Sequence, residues 1–172
     1  MNSLKLEKKF TELVTCHQGI IHKVCGMYCK HEEARKDLFQ EIVVQLWRSF
    51  PSFRGDSQVT TWMYRVALNT AISSFRKEVR KPDEESISNK VYQIPVSNKL
   101  KQEQEEQISF MYKAIEQLSQ VEKAVIMLYL EEYSYDEIAK ITGMTRTNVG
   151  VKINRIKAKL QKILKPVYNE IR

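Results

Sequence analysis

Apolar residues in this chain recur at spacings of three and four, the period of an amphipathic helix, and rarely alternate as a half-buried strand would. In residues 5–30, Ile20, Ile21, Val24, Cys25 and Tyr28 form one stripe. In residues 32–50, Leu38, Phe39, Ile42, Val43, Leu46 and Trp47 make a wider apolar face that ends at Pro51. A third helix over 59–81 turns Val59, Trp62, Met63, Val66 and Ala67 inward. Further on, Ile108, Met111, Tyr112, Ile115 and Leu118 mark another helix. Ser119-x-x-Glu122 is a capping box, and it opens a helix carrying Val121, Val125, Leu128 and Tyr129. The pattern predicts an all-α protein.

Residues 133–160, YSYDEIAKITGMTRTNVGVKINRIKAKL, predict two helices with a tight turn between them. Ser134 and Glu137 form a second capping box, and Ile138, Ala139 and Ile141 supply the first helix's apolar face. Gly143 stands where a left-handed residue ends a helix without a Cβ clash. Thr145 can cap the next helix, in which Val149, Ile153, Ile156, Leu160 and Ile163 follow one stripe. The opposite face carries Thr147, Asn148, Val151, Asn154 and Arg155, flanked by Lys152, Lys157 and Lys159. An apolar side fixed to a scaffold and a small, polar, basic side suited to the major groove identify a helix-turn-helix.

Punctuation divides the chain. Residues 51–61 read as a loop from their Pro, Gly, Asp and Ser content. Residues 82–106 combine charge runs, Ser, Asn and two Pro with little periodicity, and read as a flexible linker. Its 25 residues could span at most roughly 80 Å. The expected organisation is a helical domain over 1–81, the linker over 82–106, and a second helical domain over 107–172 that ends in a short tail after Pro166. Charge follows the same division within a net +7. Residues 1–81 hold 14 basic and 8 acidic groups, residues 82–132 hold 5 and 10, and residues 133–172 hold 9 and 3. Two basic domains around an acidic middle suit a polyanionic partner gripped at two places.

Candidate chemistry is sparse. There is no Gly-rich phosphate loop, H-E-x-x-H or nucleophile elbow, so an enzyme is not expected, and no cofactor is implied. His22, Cys25 and Cys29 share a helical face. A metal site there is outweighed by packing, because metal ligands usually come from two elements or a tight knuckle. Three clustered Cys do not make a disulfide framework. No apolar run reaches the length of a membrane span, and the N-terminus lacks a signal-peptide core, so a cytoplasmic protein with no membrane insertion is expected. Asp37, Gln40 and Glu41 form an acidic, amide-bearing patch that is either solvated or docks a basic groove. Phe53 and Arg54 stand in the loop, with Arg65, Asn69, Arg76 and Lys77 outward on the following helix; that mixture suits single-stranded nucleic acid. Trp62 is expected to pack, while Phe53 is expected to be more open.

These pieces together resemble the extracytoplasmic-function (ECF) group of bacterial RNA polymerase sigma factors, across nearly the whole chain. DLFQEIVVQLW (37–47) is similar to the family's polymerase-docking motif. FRGDSQVTTWMYRVALNTAISSFRK (53–77) resembles its promoter-melting segment, and 133–160 its upstream-element helix-turn-helix. The resemblance implies that Asp37, Gln40 and Glu41 dock on core RNA polymerase. It implies that Phe53, Arg54, Thr61, Arg65, Asn69, Arg76 and Lys77 open the downstream element and hold its non-template strand. Upstream duplex would be met by Thr145, Arg146, Thr147, Asn148, Val151, Lys152 and Arg155. An anti-sigma factor is implied as a further partner. The sequence departs from the family at Leu68, where many members carry Arg, at Ser73, often Asp, and at Gly150, commonly Lys or Arg. A competing reading is a helix-turn-helix regulator acting on duplex DNA alone. Residues 133–160 fit both readings; the patch at 37–41 and the segment at 53–65 fit only the first.

Overall fold

The computed structural model describes residues 3–79 and 99–170, with side chains described for residues 4–77 and 108–166. The described residues form seven α-helices and one 3-10 turn, without strands. Helices α1 (Ser3–Tyr28), α2 (Glu32–Ser49) and α3 (Val59–Val79) pack on one another. Their shared core holds Ile21, Val24 and Cys25 from α1, Leu38, Ile42 and Leu46 from α2, and Met63, Tyr64 and Ala67 from α3. Pro51 has no N–H to give the carbonyl one turn back, so α2 yields to the 3-10 turn Phe50–Ser52. Trp47 lies at the edge of the apolar face, with its ring 5.0 Å edge-on to Phe10.

The second helical domain comprises α4 (Lys99–Glu116), α5 (Gln120–Leu130), α6 (Tyr135–Thr142) and α7 (Arg146–Glu170). The Ser119 hydroxyl accepts from the Glu122 N–H at 3.2 Å, and the Glu122 carboxylate accepts from the Ser119 N–H at 2.8 Å. Residues 124–128 are consecutively buried, so the middle of α5 is apolar on all sides, as a central helix must be. Helix α4 begins at Lys99, inside the stretch expected to be linker; Lys, Gln and Glu there are all good helix formers. The rest of that expected linker, 82–98, lies outside the described residues. Helix α7 does not stop at Pro166 as expected but runs through it to Glu170. Pro166 and Lys162, whose carbonyl loses its donor, are both exposed, so water can replace the missing bond.

The two domains touch. Helix α3 packs against α6 and, at fewer points, α5. The Tyr64 ring meets Tyr133 edge-on at 5.5 Å, and the Tyr28 hydroxyl donates to the Gln120 carbonyl at 2.6 Å. Lys30 pairs with Glu116 at 2.9 Å, and Lys23 with Glu131.

Candidate nucleic-acid interface

Helices α6 and α7 are joined by the turn the sequence expects. The Ser134 hydroxyl accepts from the Glu137 N–H at 3.3 Å, and the Glu137 carboxylate accepts from the Ser134 N–H at 2.8 Å. Those bonds from Ser134, the side chain's first, hold the Glu137 carboxyl below the usual carboxylate range. Gly143 takes φ 75°, which a Cβ would strain, and its N–H closes onto the Ala139 carbonyl at 2.9 Å. Thr145 caps α7 by accepting from the Asn148 N–H at 3.2 Å.

Val149, Ile153, Ile156 and Leu160 of α7 are buried, which fixes the helix's rotation. Thr147, Asn148, Val151, Asn154 and Arg155 consequently stand exposed on one face, with Lys152 half-buried beside them. Arg146 is exposed and sits 3.6 Å from the Asp136 carboxylate. The flanking lysines are engaged elsewhere. The Lys157 ammonium donates to the Tyr129 hydroxyl at 2.6 Å, and Lys159 pairs with Glu122 at 3.3 Å. Periodicity places both on a basic flank, but only tertiary packing assigns them to α5. Gly150 faces inward: a Cβ there would meet the Tyr135 ring at 3.4 Å.

On α3, Arg65, Asn69, Arg76 and Lys77 are exposed, and Arg54 is exposed in the preceding loop. Phe53 is less open than expected, because its ring stacks on Trp62 at 4.8 Å with 28° between planes. Thr61 turns inward and is buried, since it shares the α3 face that packs on the core. On α2, Asp37 and Gln40 are exposed and Glu41 is half-buried. Asp37 and Glu41 line one groove of about 210 Å³ with Leu38, Phe75, Tyr28 and Cys29. The remaining candidate cluster spreads over buried Cys25, half-buried Cys29 and exposed His22. His22 stacks on Phe39 at 4.8 Å, and burial, with Cys29 adding to it, pushes the Cys25 thiol up to about 11.

Tyr28, Tyr64 and Tyr133 join the domains, a set of contacts that the sequence does not announce. Each sits at an ordinary core position of its own helix or turn, and no spacing rule pairs residues across a linker.

Fold and surface define a bipartite, all-helical DNA-binding protein of the helix-turn-helix class. The sigma-70 region 2 family matches residues 13–81, and the sigma-70 region 4 family matches residues 111–160. Among relatives, the RNA polymerase sigma factor YlaC of Bacillus subtilis is 29% identical over 140 residues, covering 77% of this chain and 78% of its own. The ECF RNA polymerase sigma-E factor of Escherichia coli is 28% identical over 173 residues, covering 94% and 89%. The fold resembles the sigma factor RpoE in its complex with the anti-sigma factor NepR from Bartonella quintana. That match has a TM-score of 0.70 at 21% identity, over 92% of this chain and 98% of that one. It also resembles CnrH in complex with the cytosolic domain of CnrY, with a TM-score of 0.63 at 20% identity over 93% and 90%. The chain belongs to the sigma-70 family, in the ECF group of RNA polymerase sigma factors. It binds core RNA polymerase and directs promoter-dependent transcription initiation. A duplex-only regulator leaves the region 2 match at 13–81 unexplained.

Proposed function

We propose a division of labour between the two domains, taken as 1–81 and 107–172 on either side of a linker at 82–106. Asp37, Gln40 and Glu41 dock the N-terminal domain on core polymerase. Thr147, Asn148, Val151, Lys152 and Arg155 read and grip upstream duplex, with Thr145 and Arg146 at the helix start against phosphate. Arg54, Arg65, Asn69, Arg76 and Lys77 hold the non-template strand of the downstream element, and the Phe53–Trp62 stack forms the apolar wall of that site. Buried Thr61 supports this wall from inside. Unstacking a base costs a few kcal/mol, and binding that favours the open strand offsets it. The protein thus shifts a melting equilibrium and makes or breaks no covalent bond: it is not an enzyme and needs no cofactor.

The reading is carried by one observation. Two exposed basic faces, on α3 and α7, stand on separate domains, while the acidic patch stands on α2. Among the described residues no helix is long and apolar enough to cross a membrane, and we place the protein in the cytoplasm with polymerase. An anti-sigma factor is the further partner we assign, since both structural neighbours are complexes with such proteins or named partners.

Reconstitution tests the reading. Core polymerase plus this chain should initiate at specific sites that core alone does not use. Asp37→Ala with Glu41→Ala should weaken polymerase binding about tenfold or more while leaving upstream-duplex affinity unchanged. Loss of helicity in that double variant would make the patch structural.

A further inference from the structure

Helix α7 carries its charge almost entirely in one sign. Between Glu137 and Glu170 the chain has eight cations and no acidic residue. An exposed helix is best served by Glu or Asp one turn from each Lys or Arg, because like charges at that spacing repel. Here Arg155, Ala158, Lys162 and Lys165 follow at spacings of three, four and three, which places them along a single stripe. All four are exposed. The stripe runs opposite buried Val149, Ile153, Ile156 and Leu160, the residues that fix the rotation of α7. Lys162 and Lys165 therefore share the face of Val151 and Arg155, yet stand past residue 160, where the region 4 match ends.

Two ordinary roles do not account for the pair. Cations near a helix C-terminus complement its dipole, but that effect is confined to the last turn. The last turn of α7 holds no basic residue, and Lys165 lies five residues short of Glu170. Nor do these lysines tie α7 to its scaffold. Among the described residues neither has a side-chain hydrogen bond or ion pair, whereas Lys157 and Lys159 are held by α5. Uncompensated like charges three residues apart oppose the helix that carries them, and an anion on that face relieves the repulsion.

Distance identifies the anion. Lys162 and Lys165 lie seven and ten residues beyond Arg155, about 10 and 15 Å along a helix. The major groove is about 12 Å wide. A helix whose first turns read base edges therefore carries these two side chains out to the phosphate ridge that bounds the groove. We propose that Lys162 and Lys165 form a second, sequence-independent grip on the phosphates of upstream duplex, beyond the base-reading end of α7. The proposal rests on the assignment of α7 to that duplex made above. Affinity for the upstream element then has two sources: base contacts in the first half of α7 select a site, and charge in its second half holds any duplex equally.

The test is binding of the full chain to two duplexes of unrelated sequence, followed by fluorescence anisotropy over a salt series. Lys162→Gln with Lys165→Gln removes both charges while keeping good helix formers, so helicity should not change. The log–log salt slope should become shallower by about 2, and affinity at about 0.1 M salt should fall roughly three- to thirtyfold, equally on both duplexes. Lys162→Arg with Lys165→Arg should keep the wild-type slope and affinity. A slope that does not respond to the Gln pair would overturn the grip, and a loss confined to one duplex would replace it with base readout. Unchanged duplex binding with weakened polymerase binding would assign the pair to an acidic protein surface and overturn it too. Arg155→Ala, run alongside, separates this proposal from the reading beneath it. If Arg155→Ala flattens the slope and the Gln pair does not, the grip alone fails. If neither variant moves the slope, or the wild-type chain binds neither duplex at low salt, the assignment of α7 to duplex fails with it.

Discussion

Gly150 sits in the interior of α7, where Gly costs about 1 kcal/mol relative to Ala. Its missing Cβ points at the Tyr135 ring, at an ordinary van der Waals distance of 3.4 Å. Gly150→Ala should therefore stabilise the protein by a few tenths to about 1 kcal/mol, with upstream-duplex affinity unchanged; thermal melting and a binding titration check both. Lost affinity at unchanged stability would mean that DNA comes within reach of Gly150. Glu132 is the opposite case: a non-glycine at φ 63°, in a turn where Tyr133 and Glu132 donate to the carbonyls of Leu128 and Tyr129. A side chain in that conformation costs roughly 1–2 kcal/mol, partly offset by glycine's greater unfolded entropy. Glu132→Gly should raise stability by about 0.5–1 kcal/mol in denaturant titrations. Gly143 was readable because glycine announces a left-handed helix end; Glu132, in the same role, carries no such mark. Leu68 is 3% exposed, which is why an apolar residue suits it here. Nothing in the structure explains exposed Ser73.

At the scale of elements, the capping boxes were legible because both partners lie within one turn. They also make α6 sensitive to acid. The Glu137 carboxyl is held low by bonds from Ser134. A carboxyl depressed in this way adds stability above its unfolded value near 4.3 and gives it up as pH falls through the folded value. Below about pH 4 the start of α6 should fray before the rest of the domain. A carboxyl NMR titration of Glu137, with amide exchange along α6, measures this; an ordinary Glu137 titration would remove the mechanism. The α7 wheel correctly separated buried from exposed faces, because burial follows the 3.6-residue period. It could not sort the basic flank, because Lys157 and Lys159 are held by residues of α5 far away in sequence. The two kinds of cation should separate experimentally. Arg155→Ala should lower duplex affinity, with a salt slope shallower by about 1 if it meets phosphate. Lys157→Ala should leave the slope unchanged and instead lower the melting temperature slightly through the lost Tyr129 contact.

For the whole molecule, helix content, order and the basic–acidic–basic layout follow from local pattern, whereas the way the two domains meet does not. Their contacts join Lys23, Tyr28, Lys30 and Tyr64 to residues on the far side of the linker, and no local periodicity encodes such pairs. How strongly the seam couples the domains can be read from unfolding. Both tryptophans, Trp47 and Trp62, lie in the N-terminal domain, so fluorescence reports that domain alone while far-ultraviolet dichroism reports helices of both. The ion pairs of the seam are solvated and contribute little, which leaves only the packing of α3 on α6, with the Tyr64–Tyr133 ring contact, to couple the two domains. The two signals should therefore give non-coincident denaturant transitions. Added salt should widen the gap, since screening at about 1 M reaches down to roughly 3 Å and leaves the Lys23–Glu131 and Lys30–Glu116 pairs little attraction. Transitions that coincide at every salt concentration would mean the apolar part of the seam dominates, with Tyr64 and Tyr133, rather than the charges, joining the domains.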